Sequence, residues 1–305
     1  MDKKSRGYIV AIVLTILAVS LIVYEVKLRG TNANVSNSNK KKEVTIVQKE
    51  NLKEDNLNKE IKLSKQEEDA LKGEPIGERV KNNLKYSDKE EIHFKMINAV
   101  DNFKTCKGEF TEEGTIQNSR TKSTFAVDVE NKSSVSVIAE EGKKTITLIY
   151  HNDKRKVFDD NDKSYREFEE RQFRGKPTIV RPIRLFIEPS LKREDIGYLG
   201  VSSNIICAEV VPTYLFIYED WNYTDSTFLG RDVYKLNGVI DPNLSSNMQG
   251  KFSLLVDKET GIILQFLLLD DNGKIKEKLE CTKLEVNTPI DESSYNKNTS
   301  GYVKK

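Results

Sequence analysis

Apolar positions divide the chain into stretches of different period. Residues 8–26 read YIVAIVLTILAVSLIVYEV, uncharged from Tyr8 to Tyr24. About 20 such residues cross a hydrocarbon core of roughly 30 Å, so the run predicts one transmembrane helix, with Tyr8 and Tyr24 suited to the two interfaces. Residues 1–7 then form a short tail. From residue 27 to 86 the apolar sites are sparse. Val44, Ile46, Val47, Leu52, Leu57, Ile61, Leu63 and Leu71 stand in a charged field with loosely helical spacing. This reads as a polar stalk, disordered or partly helical. A short coiled-coil or partner-binding helix is the alternative. Gly73, Pro75 and Gly77 end any helix there.

A folded domain is predicted over 87–296. Ser87 followed by Glu90 has the form of a capping box, and Ile92, Met96, Ile97, Val100 and Phe103 follow at helical spacing. The period then becomes two. CKGEFTEEG, TKSTFAVDVEN, SSVSVIAEEG and KTITLIYHND read as strands, and KRKVFDDNDKSYREF as a hairpin turning over Asp159 to Asp162. Pro177, Pro182 and Pro189 break up the next stretch, leaving room for a short helix over Ile183 to Ile187. NIICAEVVPTYLFIYED reads as one or two buried strands. DSTFLGRDVYKLNGVIDP is a strand pair turned near Gly230-Arg231-Asp232. Three more strands follow, turned at Asp257 to Gly261 and at Asp271-Asn272-Gly273. Consecutive strands with short polar turns make an antiparallel meander, hence an α+β domain. Residues 297–305 read as a disordered tail.

Charge sets the orientation. Lys3, Lys4 and Arg6 flank the apolar run on its short side, which places the N-terminus in the cytoplasm and the domain outside the cell membrane. Lys27, Arg29 and Lys40 to Lys42 weaken that asymmetry. A cleaved signal peptide is the rival reading, with Ala18 and Ser20 at cleavage positions, but the run continues to Val23. No Cys near its end would carry a lipid. The chain has 49 basic and 48 acidic residues among 305, a balance unlike that of a nucleic-acid binder. Cys106, Cys207 and Cys281 are far apart and read as small apolar core residues.

Candidate chemistry is thin. His93 and His151 are the two histidines, and neither belongs to a zinc motif. No GxSxG or P-loop occurs. SxxK at Ser38, Ser119 and Ser294 lacks its companion motifs. Asp159, Asp160 and Asp162 fit a solvated turn better than a calcium loop. Adjacent Glu219 and Asp220 point to opposite faces of an extended chain. No catalytic residue, metal or cofactor is therefore expected, although a hydrolase's carboxylate pair is not recognisable from sequence. Trp221, the sole Trp, stands between Tyr218 and Tyr223 in a predicted loop. These aromatics are candidate contact anchors, or else Trp221 packs over an open sheet end. Arg181 and Arg184 could face a partner or phospholipid head groups, or be solvated.

From Ser87 to Tyr295 the chain resembles the LolA-like superfamily of lipoprotein carriers, RseB/MucB regulators, and Gram-positive sporulation and germination lipoproteins. The likeness rests on IHFKMINAVDNFKTCKGEFTEE (helix into first strand), on the G-x-x-x-Y-x-L strand in FLGRDVYKLNGVIDP, and on KFSLLVDKETGIILQFLLLDDNGKIKEKLECTKLEVNTPIDESSYN. It implies a curved, half-open antiparallel sheet (a half-barrel) closed by helices around an apolar cavity. It also implies a non-catalytic binding or regulatory module, with a cell-wall enzyme or an envelope signalling protein as partner. The alternative is a tethered chaperone holding an acyl lipid or lipoprotein. A tether departs from the freely shuttling carriers. The edges of an open sheet also leave room for a strand-exchanged homodimer.

Overall fold

The protein is described from a computed structural model over residues 63–73, 75–114, 119–141, 145–170, 179–187, 193–208 and 210–305. The expected tail at 1–7, the transmembrane helix at 8–26 and the stalk up to residue 62 lie outside these residues. No described helix is long and apolar enough to cross a membrane. The chain divides into Met1–Ile46 and Val47–Lys305, and all of the described residues lie in the second unit.

Two meanders meet in the middle of one sheet. Strands β1 (Thr105–Gly114), β2 (Ser119–Asp128), β3 (Ser133–Glu140), β4 (Thr145–His151), β5 (Lys154–Asp159) and β6 (Ser164–Glu169) run outward on one side. On the other, β7 (Trp221–Phe228), β8 (Arg231–Ile240), β9 (Gly250–Asp257), β10 (Ile263–Leu269) and β11 (Ile275–Val286) run back to β1, and β12 (Val303–Lys304) lies outside β6. The order is β12-β6-β5-β4-β3-β2-β1-β11-β10-β9-β8-β7. Every pairing is antiparallel except β12 with β6. β7 and β12 do not pair, so the sheet stays open. Register shifts at Glu109/Phe110, Ile263/Gln265 and Leu268/Leu269 each place an extra residue in one strand, the device that bends a sheet locally.

Period-two alternation splits the sheet into two faces. In β4, Tyr150 joins the main core while its neighbour Ile149 packs on the opposite side. The inner face carries Phe110, Phe125, Leu236, Leu254 and Phe266, and helices cover it. The outer face of β1, β2 and β11 is solvated and laced by pairs such as Lys107–Glu285 at 3.1 Å and Lys122–Glu109 at 2.6 Å.

Helices α1 (Lys65–Gly73), α2 (Gly77–Lys81), α3 (Ser87–Ile97), α4 (Pro182–Ile187) and α5 (Val210–Thr213) complete the domain. The order starts earlier than residue 87. Leu71, Ile76 and Val80, sparse apolar sites in a charged field, form a second core with Ile183, Phe216 and Ile217. The capping box sits at Ser64, not Ser87. Ser64 N–H donates to Glu67 Oε2 at 2.8 Å and Glu67 N–H to Ser64 Oγ at 3.3 Å. Ser87 is already helical, and the preceding Tyr86 makes no side-chain cap.

The two ends of the folded region also differ from expectation. Val303 and Lys304 add to β6 opposite Ser164 and Tyr165, so residues 297–305 are not a disordered tail. Tyr295 stacks on His151 with ring centroids 5.0 Å apart, and Tyr302 meets Phe158 edge-on. Asp160 accepts from Lys297 Nζ at 2.6 Å and from the Tyr302 hydroxyl. The tail thus covers the apolar outer face of β4 to β6.

The stretch predicted as buried strands is buried but not extended. A 3-10 segment, Glu194–Asn204, kinks at Gly200, where φ is +57°. Ile205, Ile206, Cys207, Ala208, Leu215, Phe216, Ile217 and Tyr218 follow, all buried. Side chains satisfy part of this backbone, and the Ile263 N–H of β10 reaches the Ile205 carbonyl at 3.0 Å. Asn83 Nδ2 donates to the Phe216 carbonyl at 2.5 Å and Asn83 Oδ1 accepts from Tyr218 N–H at 2.9 Å. The segment works as a plug that fills the hollow of the sheet.

Candidate functional site

Helix α3 gathers most of the predicted site. Residues 89, 92, 93 and 96 share its inward face, at the i, i+3, i+4, i+7 spacing of a buried stripe, so one lysine and one histidine point into the core beside Ile92 and Met96. The end of the plug and the start of β7 lie against this stripe.

Lys89 is 7% exposed. Its ammonium donates to the Tyr218 carbonyl at 2.8 Å, to the Trp221 carbonyl, and to Asn222 Oδ1 at 3.2 Å. It also lies 4.9 Å from the Tyr86 ring and 5.1 Å from the Trp221 ring. Burial lowers its pKa, and Asp88 offsets part of that. His93 is fully buried, with Nδ1 3.2 Å from the Tyr218 hydroxyl and Phe216 edge-on at 5.4 Å. Burial pushes it down to about 3, so it is neutral at physiological pH and has a packing role. Glu90, beside Tyr218, is raised by burial, with Arg181 pulling the other way.

The five sequence candidates sort by exposure. Trp221 (1%) and Tyr218 (2%) are core residues rather than loop anchors. The Trp221 indole donates to the Leu215 carbonyl at 3.1 Å, so Trp221 packs at the open sheet end. Tyr223 is half-buried and donates to Asp88 Oδ2 at 2.9 Å. Burial and the Asp88 carboxylate push it up to about 12. Arg181 is half-buried near Glu90. Arg184 is exposed and reaches Glu67 at 3.1 Å. Four of the five therefore meet α3, and Arg184 meets α1.

Sequence reasoning missed the residues that fasten this region. Arg79 bridges Asp220 and, at 2.9 Å, Asp241, and Asn83 and Lys89 hold the plug. Only Lys89 left a signal, by occupying an apolar position of a helical stripe. A second clamp is built on a buried arginine: Arg193 donates to both oxygens of the more exposed Asp101 at 2.6 and 2.8 Å and to both Asp195 oxygens at 2.8 and 3.0 Å. These partners hold its pKa above the usual arginine range despite burial.

The hollow of the sheet holds side chains. Trp221, Tyr198, Tyr218, Phe110, Leu199, Ile205, Ile206 and Leu215 are all fully buried. The void between Glu90, Asn83 and Ile183 measures about 10 Å³, and an open groove on the outer face beside Lys107 and Lys283 about 160 Å³. Pockets for drug-sized ligands span roughly 300–1,000 Å³. Among the described residues no group of three or more His, Cys, Asp or Glu could hold a metal ion. The three cysteines are buried and free.

No protein-family model matches the chain, and no curated protein matches it significantly. Solved structures with a similar chain path include MucB, with 14% identity, a TM-score of 0.42 and coverage of 70% of this chain and 64% of that one. The Pseudomonas aeruginosa MucA/MucB complex matches at 13% identity and a TM-score of 0.41, over 69% and 61%. The Mycobacterium tuberculosis lipoprotein LppX matches at 9% identity and a TM-score of 0.36, over 68% and 98%. The chain spans about three fifths of the MucB chains. At such identities and TM-scores no activity, ligand or partner carries over from them.

Proposed function

We propose that this chain is a non-catalytic, extracytoplasmic binding module, held at the cell membrane through residues 8–26, that engages a protein partner at the envelope. The filled hollow carries this reading. A lipid carrier needs an apolar space open to acyl chains, whereas here the plug from Glu194 to Tyr218 puts its own side chains there. The buried polar groups serve structure: Lys89, Asn83 and Arg193 are spent on carbonyls and carboxylates, and His93 is neutral. Recognition then falls to the surface, where Tyr223, Arg181 and Arg184 are the candidates that solvent reaches. A cell-wall enzyme or an envelope signalling protein is the class of partner favoured.

The test is a pull-down from native membranes with the full-length chain, followed by mass spectrometry of proteins and extracted lipids. A stoichiometric protein partner without enriched lipid supports the module. Enriched acyl lipid or lipoprotein without such a partner overturns it in favour of a tethered carrier.

A further inference from the structure

The two margins of the sheet are finished differently. Val303 and Lys304 cover part of β6, while β7 is the last strand at the other end and nothing described pairs with its outer side. A bare edge is a template for another strand, and proteins blunt such edges with proline, lysine or a bulge. β7 reads WNYTDSTF, without proline or lysine and with Asp225 as its one charged residue, and its eight pairs with β8 run with no register shift.

The direction of its backbone groups follows from the hairpin. Phe228 and Arg231 flank a two-residue turn whose members, Leu229 and Gly230, have φ of 54° and 72°, the signature of a type I′ turn. The flanking pair in such a turn exchanges ladder bonds, and bonded pairs alternate. Phe228, Ser226, Thr224 and Asn222 therefore face β8, while Thr227, Asp225, Tyr223 and Trp221 face outward. The Lys89 ammonium on the Trp221 carbonyl agrees with this phase. Lys89 caps one end of the edge, and the next three outward residues have no backbone partner among the described residues.

Charge selects the occupant. Tyr223 and Tyr234 meet edge-on at 5.5 Å beside this edge, ringed by Asp88, Glu91 and Asp225, all exposed. One cation already sits there: Lys258 Nζ is 4.8 Å from the Tyr234 ring and 2.6 Å from Asp225. The geometry points to the free edge of β7 as a docking site for an extended, lysine- or arginine-bearing segment of a protein partner. The segment adds as a strand on Tyr223, Asp225 and Thr227, and its cations lie on the tyrosine pair and its acidic rim. This rests on the partner-binding reading and gives it a place.

The probe is a soluble eight-residue peptide of alternating valine and lysine, tested on the full-length chain in detergent. Its companions carry glutamate for lysine, or N-methyl groups at alternate backbone nitrogens. The lysine peptide is expected to bind saturably and to shift the amide signals of Tyr223, Asp225 and Thr227. Both companions should bind at least tenfold more weakly. Asp225→Pro removes an outward N–H while leaving the β8 ladder intact, and should cost at least tenfold. Asp225→Lys should abolish the preference for the lysine peptide over the glutamate peptide, and it carries the test if the proline variant fails to fold. Equal binding of the N-methylated peptide, shifts confined elsewhere, or a homodimer cross-linked through residue 225 would overturn the assignment. A native partner retained by folded Asp225→Pro sinks the edge site and leaves the partner-binding reading standing. Lipid without any protein partner removes both.

Discussion

The buried ammonium of Lys89 donates to the carbonyl oxygen of Tyr218 at 2.8 Å, tying helix α3 to the end of the plug. The same nitrogen donates to the carbonyl of Trp221, the first residue of the edge strand β7. One side chain thus closes the junction between helix layer, plug and sheet margin.

Replacing Lys89 with Met keeps the stem and strips the donors from two buried carbonyls. An unsatisfied buried group costs about 1–3 kcal/mol, so a loss of about 3 kcal/mol is expected in denaturant unfolding. Trp221 is the sole Trp of the chain and reports the transition by its emission. A variant within about 0.5 kcal/mol of the parent, the range of ordinary surface changes, would show that Lys89 does not hold this junction.

Gly238 lies across from Trp221 in the β7–β8 ladder. An added Cβ would sit 2.4 Å from the Asp220 carbonyl oxygen and 2.5 Å from Trp221 Cβ. Overpacking of this kind costs about 1–3 kcal/mol, and Gly238→Ala should lower the melting temperature and shift the Trp221 emission. An unchanged spectrum and melt would contradict the close approach.

Burial pushes Glu112 up to about 7, partly offset by hydrogen bonds from Asn204, at 2.8 Å, and Thr121, with Glu277 adding to the rise. The folded pKa exceeds the unfolded one, so the folded state holds its proton more tightly. The resulting stability is fully present below about pH 4.5 and is lost as pH rises through about 7. Glu112→Gln should flatten this part of the stability curve, with the variant gaining on the parent toward pH 8. Parallel curves for the two proteins would refute it. Glu90, also raised by burial, contributes in the same direction in both proteins.

Arg193 to Lys is expected to fail as a conservative change. Lysine supplies no planar fork for Asp101 and Asp195, and a hydrogen bond to a charged group is worth about 1.5–3 kcal/mol. Arg193→Lys should lose most of what Arg193→Met loses. Full recovery by lysine, measured by chemical denaturation, would mean that charge alone suffices.

Burial raises the thiols of Cys106, Cys207 and Cys281. A thiolate-directed reagent should label none of them in the native protein and all three after unfolding. Native labelling of any one would show that the core opens there.

The strands were legible because period-two alternation and turn residues state the same register twice. Phe110 and Phe125 face inward just where alternation puts them, and the chain turns at Gly273, whose φ is 78°. The plug was not legible. An apolar run such as NIICAEVV has no period to separate a strand from an irregular buried segment, and what replaces strand pairing is Asn83, more than 130 residues away. The capping box was misplaced for a related reason. Ser64–Glu67 and Ser87–Glu90 have the same form, and the chain path into each helix decides which closes. Of the site, the grouping around Trp221 was visible, but its burial depends on Lys89 and Leu215, which sequence neighbours do not reveal.

The centre of the sheet has a consequence for how the molecule comes into being. β1 is completed by β11, and the thiol of Cys281 meets the carbonyl of Glu109 across 172 residues of chain. During synthesis, the first strand emerges long before its permanent neighbour and waits with one side unsatisfied. Pairings this distant are slow to form, on the scale of milliseconds to seconds. A nascent chain stalled or truncated before residue 275 would display an orphaned central strand, so quality-control proteases and holdases should meet this protein mainly in that interval.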